Sequence, residues 1–114
     1  DVVTNNAKVG YTDALAKNAI IQTVNAASGT VSQTVNPNEY YEFTNTSITT
    51  LTITLASEVS GKMSEYMFQF DSASGGTTLT AIAGVTWLGG TPTIVASKTY
   101  QASILNGIGI IVEV

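Results

Sequence analysis

The chain has 114 residues and a mass of 11.9 kDa, which is enough for one domain with a single core. Charged residues make up 11% of it, less than half of the roughly 25% typical of soluble domains. The lack of His and Cys excludes Ser-His-Asp and Cys-His catalysis, zinc fingers, haem ligation and disulfides. With no Arg and a net charge of −4, a nucleic-acid surface is not expected, and no apolar run is long enough for a membrane span.

Residues 1–27 have the composition of a helix-turn-helix and the residues that typically end and begin its helices. Gly10 suits the left-handed position that ends a first helix, and Thr12 suits the N-cap of a second helix over residues 13–25. The apolar positions of that second helix form one stripe: Leu15, Ala19, Ile20 and Val24. A helix of about this length is marginal alone, so its stripe needs a partner, either the chain's own β domain or another chain.

From residue 28 onward, β-branched and aromatic residues dominate and turn signals recur at short intervals. Alternation predicts strands over residues 30–35, 39–45, 48–55, 63–70, 77–83, 85–88, 93–96, 98–105 and 108–114. Asn106-Gly107 lies between two alternating runs and predicts a β-hairpin. We therefore predict a mainly β fold: an antiparallel jelly-roll-like β-sandwich of about eight short strands over 28–114, preceded by a short helix-turn-helix over 1–27.

Candidate binding residues are few. Trp87 and Tyr40 are possible ligand contacts, because aromatic rings offer flat apolar faces to sugars. The carboxylates show no metal-ligand spacing: Glu39 and Glu42, for example, face opposite sides of a strand. No catalytic residue, metal site or cofactor is therefore predicted. The outward Thr positions 50, 52 and 54 fit an adhesive or ice-binding face, but uncharged β-formers that keep a sheet soluble are the simpler interpretation.

Several motifs over residues 39–114 resemble a small β domain of phage and prophage structural proteins. The strand E-Y-M-F-Q-F at 65–70 is similar to the E-Y-x-F-x-F strand of that family. It is followed, in the family's order, by T-T-L at 77–79, V-T-W at 85–87, P-T-I-V-A-S-K-T-Y at 92–100 and S-I-L-N-G-I-G-I-I at 103–111. Residues 4–12, T-N-N-A-K-V-G-Y-T, are similar to the N-T-A-K-V-G-x-T units of phage fibre stalks, with Asn6 where Thr is usual.

The resemblance implies a non-enzymatic virion structural protein. It would be the C-terminal part of a homotrimeric fibre, foremost a head fibre, joined to the capsid or tail through a preceding N-terminal part. Five residues would lie at the trimer interface of the helical stalk: Val2, Val9, Leu15, Ile20 and Val24. The alternative is a tip module of a tail fibre or baseplate that binds a host glycan or receptor through Trp87 and Tyr40. A depolymerase would need paired carboxylates in a groove, and the chain is short of carboxylates.

Overall fold

The computed structural model describes residues 21–24 and 28–114, and these form nine strands. The strands are β1 (Ile21–Val24), β2 (Gly29–Val35), β3 (Tyr40–Phe43), β4 (Ile48–Leu55), β5 (Glu65–Asp71), β6 (Thr78–Leu79), β7 (Thr86–Trp87), β8 (Thr99–Leu105) and β9 (Ile108–Glu113). The mainly β prediction is confirmed for this part of the chain. The predicted helix-turn-helix lies, up to residue 20, outside the described residues.

The strands form two sheets between which the chain alternates. One sheet has six strands in the order β1-β3-β5-β8-β9-β7, and the other has three in the order β2-β4-β6. From β1 to β6, each strand therefore lies in the opposite sheet from the one before it. Strands two elements apart run in the same direction and pair in parallel, so this part of the chain is a two-sheet coil of three turns.

The expected antiparallel pairing is wrong for most of the fold. Only β5–β8 and β8–β9 are antiparallel, whereas the other five pairs of described strands are parallel. The reason is that turns such as Asn36–Asn38 carry the chain across to the other sheet and do not return it alongside the same strand. Alternation of side chains is the same in both arrangements, so periodicity alone did not distinguish them.

The end of the predicted second helix is also corrected. Ile21–Val24 is strand β1, and it pairs in parallel with Tyr40–Phe43 at the edge of the larger sheet. Three of its four residues are β-branched, and the neighbouring strand supplies hydrogen bonds that outweigh a weak helical preference. The β structure thus begins before the predicted boundary at residue 28. Val24 is half-buried and packs against the core of its own chain.

A single hydrophobic core lies between the two sheets. The larger sheet contributes the aromatic residues of β5, Tyr66, Phe68 and Phe70, all at most 4% exposed. The smaller sheet contributes Leu51 and Ile53 from β4, also nearly inaccessible. The ring centroids of Phe68 and Phe70 are 6.2 Å apart, and Phe70 stacks in turn on Tyr100 of β8 at 5.7 Å. Burial of the alternate residues of β5 confirms the predicted inward face.

Two turns take the conformations that their residues predict. Asn106 and Gly107 have φ values of 54° and 77°, as a two-residue turn between antiparallel strands requires. Asn38 also has a positive φ of 61°, and its side chain bridges to β5: Oδ1 accepts from the Glu65 backbone N–H, 3.1 Å away. The Asn-Pro-Asn turn is thereby tied to the central strand of the larger sheet.

One buried hydroxyl joins the smaller sheet to the loop that precedes β6. Thr77, 4% exposed, donates through Oγ1 to the Ile48 carbonyl and accepts from the Ala73 N–H at 2.9 Å. Thr77→Val would keep the shape of the side chain and leave both backbone groups unpaired. We expect the free energy of unfolding to fall by about 2–3 kcal/mol, measured by chemical denaturation. Thr78→Val, at the exposed neighbouring position, is the control and should change it little; equal losses in the two variants would contradict this role for Thr77.

Candidate functional site

The outer face of the six-stranded sheet carries the clearest candidate surface. Strand registers place its side chains in rows that cross the sheet. One row runs through Tyr40, Met67, Ser103 and Ile110, and the next runs through Glu42, Gln69, Gln101 and Val112. Along each row the residues change from polar or mixed on β3 and β5 to aliphatic on β9.

The polar half of this face is held together by hydrogen bonds between side chains. Tyr40 donates through its hydroxyl to Gln69 Oε1 at 3.0 Å, and Gln101 Nε2 donates to the same oxygen at 2.7 Å. Ser103 Oγ donates to Glu65 Oε2 at 2.6 Å. Because these groups orient one another, the polar half is a preorganised network of mostly neutral groups.

Tyr40 lines a shallow groove of about 380 Å³ on this face, together with Glu65, Met67, Gln101 and Ile110 among others. Partial burial, and secondarily the negative charge of Glu42, raise the pKa of the Tyr40 phenol above 10.0. The phenol is therefore protonated at neutral pH and acts as the donor to Gln69. The groove combines one aromatic ring, the Gln101 amide, the Glu65 carboxylate and an aliphatic wall.

The aliphatic half of the outer face is a continuous exposed row, which we call the aliphatic row. Its members and exposed fractions are Leu105 41%, Ile108 47%, Ile110 48%, Val112 51% and Val114 70%. Isolated exposed aliphatic residues are ordinary on protein surfaces, but a contiguous apolar set marks an interaction surface. Burying the exposed half of each side chain would contribute roughly 1 kcal/mol apiece.

The edge of β9 beside this row is open over most of its length. β7 pairs with β9 only at Thr86↔Ile108 and Trp87↔Gly109. The Gly109 carbonyl accepts from the Leu88 N–H at 2.8 Å, so alternate residues beyond it, Ile111 and Glu113, direct their backbone groups toward the same side. No other described strand pairs there, so the sheet presents an unpaired edge next to an apolar row.

Trp87 lies on the opposite, inner side of the larger sheet. It is half-buried and packs against the core over Gly109, whose row continues to the buried Ile104. A Cβ atom built on Gly109 would lie 2.6 Å from Cε3 of the Trp87 ring and 2.9 Å from Val85 Cγ1. Only a glycine leaves room for this contact. The ring also forms one wall of a small cavity of about 180 Å³ with Ile82 and Pro92.

The two predicted ligand contacts are therefore not part of one site. Tyr40 belongs to the outer groove and Trp87 to the inner cavity, with the sheet between them. Of the five predicted trimer-interface residues, Val2, Val9, Leu15 and Ile20 lie outside the described residues, and Val24 packs within its own chain. Among the described residues, no group of three or more His, Cys, Asp or Glu is placed to hold a metal ion.

The smaller sheet has an outer face of hydroxyl groups. Its cross-strand registers align Thr30 with Thr50 and Thr78, and Ser32 with Thr52. Thr52 and Thr80 form a hydrogen bond between their hydroxyls at 3.1 Å. The predicted outward Thr positions 50 and 52 are thus on this face. Helices able to cross a membrane do not occur in the part of the chain described here.

Comparison of the chain with protein-family models, curated proteins and solved structures gives no match.

Sequence reasoning did not single out the aliphatic row. Its signal was present, because residues 108–112 read I-G-I-I-V and place apolar side chains on both faces of one strand. A strand that is apolar on both faces predicts cover on both. The inner residue Ile111 is half-buried against the core, whereas the outer residues are exposed within the chain.

Gly109→Ala tests the contact between Trp87 and the sheet. The added methyl would overlap the indole ring, so we expect the free energy of unfolding to fall by about 1–3 kcal/mol. The ring must also move outward, and because the chain has a single Trp, its fluorescence emission should shift to longer wavelength. Gly75→Ala is the control, since its Cβ would meet nothing within 4 Å. Unchanged emission in Gly109→Ala would contradict the placement of Trp87.

Proposed function

We propose that the chain is a non-enzymatic structural protein of the virion: the C-terminal part of a homotrimeric phage fibre, foremost a head fibre. The observation that carries the proposal is the two-sheet parallel coil. Each turn of such a coil contacts only its neighbours, so the coil extends along one axis. β1 and β2, the first described strands, are the edges of their sheets at one end of the stack. This arrangement suits an axial tip that a stalk enters from one end.

The chemistry of the surface supports a structural role. The outer faces carry hydroxyls, amides and aliphatic groups, whereas the chain as a whole has only 11% charged residues. The carboxylates Glu65 and Asp71 accept hydrogen bonds from the neutral hydroxyls of Ser103 and Thr99. These contacts fix the orientation of side chains on the outer face, as suits a structural surface.

The proposal is tested by the mass of the intact chain in solution and by Leu15→Asp. A trimeric mass by light scattering is expected for the unaltered chain. A carboxylate in the predicted stalk stripe should dissociate the trimer while the β signal in circular dichroism persists, because burying an unpaired charge between chains is costly. Lys17→Asp, a charge change at a polar position of the same predicted helix, is the control. A chain that stays monomeric at high concentration would contradict the trimeric fibre.

A host-glycan-binding tip is the second candidate, and the Tyr40 groove is the observation that favours it. The Tyr40 ring and the Gln101 amide line the groove together and offer stacking and a hydrogen bond to a neutral sugar.

Glycan-array binding tests this second candidate. If the groove binds a glycan, Tyr40→Ala should lower binding at least tenfold without unfolding the chain. Tyr40→Phe keeps the ring and removes the hydroxyl that donates to Gln69, so it separates stacking from hydrogen bonding. Trp87→Ala should leave binding at the groove in place, since Trp87 lies on the other side of the sheet. An array without signal counts against this function.

A further inference from the structure

We infer that the aliphatic row is an interface between copies of this chain, in which the β8–β9 face of one copy packs against the same face of its neighbours. The inference rests on the proposed homotrimer and adds to it a second contact surface, located in the β part of the chain. The predicted stalk interface lies in residues 2–24, whereas the aliphatic row spans residues 105–114.

The distribution of charge identifies a second copy as the partner. When identical faces meet around a symmetry axis, each residue near the axis approaches its own counterpart, so a charge there meets a like charge. No side chain of the aliphatic row is charged. Glu113, the one charged residue of β9, points to the other face of the sheet. Its Oε1 atom lies 3.4 Å from Nζ of Lys98.

The outer-face carboxylates nearest to β9 lie on β5. Glu65 and Asp71 are two strands, about 10 Å, from the β9 members of the row, whereas Leu105, the row's member on β8, has Glu65 as its cross-strand neighbour.

Between β5 and the row members Ile110 and Val112 stand the neutral residues Ser103 and Gln101 of β8. The part of the face on β9, formed by Ile108, Ile110 and Val112, thus carries no charged side chain, and this is where identical copies would come closest. A nucleic acid or an anionic membrane would instead require basic residues, and the strands β3, β5, β8 and β9 that form this face contain none.

The area is consistent with part of an oligomer interface. At the exposures given above, the aliphatic row offers on the order of 200–300 Å² of apolar side-chain surface. A stable interface buries about 800 Å² on each partner. The contact would therefore extend onto the adjoining neutral residues Met67, Gln101 and Ser103, which also line the Tyr40 groove. Assembly through this face and glycan binding in the groove are consequently exclusive.

The experiment compares two matched Val→Lys substitutions in the intact chain. Val112 and Val95 are 51% and 50% exposed, but only Val112 belongs to the aliphatic row. We expect Val112→Lys to raise the dissociation constant of the oligomer at least tenfold, measured by light scattering over a concentration series. Val95→Lys should leave it unchanged. Circular dichroism checks folding, and Val112→Thr, a β-branched replacement, provides a milder variant that should weaken assembly in the same direction.

The outcomes separate this inference from the proposed function. An oligomer that resists Val112→Lys and Val112→Thr but dissociates in Leu15→Asp overturns the inference and leaves the trimeric fibre standing. An oligomer that weakens in Val112→Lys and Val112→Thr but survives Leu15→Asp supports the inference and contradicts the stalk interface. Equal weakening by Val112→Lys and Val95→Lys overturns the inference, since added charge rather than position would then be responsible. A chain that is monomeric at every concentration overturns both.

Discussion

The rest of the structure depends on the burial of the aromatic face of β5. Tyr66, Phe68 and Phe70 alternate along one strand, so a one-residue slip in the register of that strand would expose all three rings at once. The direction of strand pairing in the larger sheet also changes at β5, which pairs in parallel with β3 and antiparallel with β8. The aromatic face thus joins the coil of the first six strands to the hairpin that follows. Because these rings and the residues facing them point inward, the alternate residues of the two sheets point outward. They form the hydroxyl face of the smaller sheet and the aliphatic row of the larger one.

The elements were largely predictable from the sequence, and their partners were not. β4 lies at the predicted residues 48–55, and the hairpin at Asn106-Gly107 forms as expected, because both signals are local. The choice between parallel and antiparallel neighbours is made by where the turns send the chain, and alternation contains no information on that. β1 was missed for a related reason: Val24 fitted the predicted helical stripe, and the pairing of β1 with β3 cannot be read from a local pattern.

The candidate surfaces, like the fold, were predictable from the sequence only in part. Alternation was enough to place Tyr40 on the outside of its strand, but it did not reveal the Gln69 and Gln101 amides beside it, because that contact depends on the pairing of β3, β5 and β8. From the sequence, Trp87 could be interpreted either as a core residue or as a ligand contact. Its position over Gly109 arises from a two-residue pairing between β7 and β9, which is too short to recognise from a pattern. The shortage of charge was visible in the sequence, whereas the positions of the remaining carboxylates relative to the aliphatic row depend on the strand registers.

The mixed topology has a consequence for how the chain folds. β8 and β9 are joined by two residues and can pair without closing a long loop, whereas β1 meets β3 across 19 positions and β3 meets β5 across 27. Pairing between distant segments is slow because the entropy of loop closure is lost before contacts compensate for it. We expect the hairpin to form early and to offer β5 a template, with the parallel turns added toward the N-terminus. During synthesis β8 and β9 emerge after β1 to β7, so the parallel strands are made before the hairpin that serves as their template.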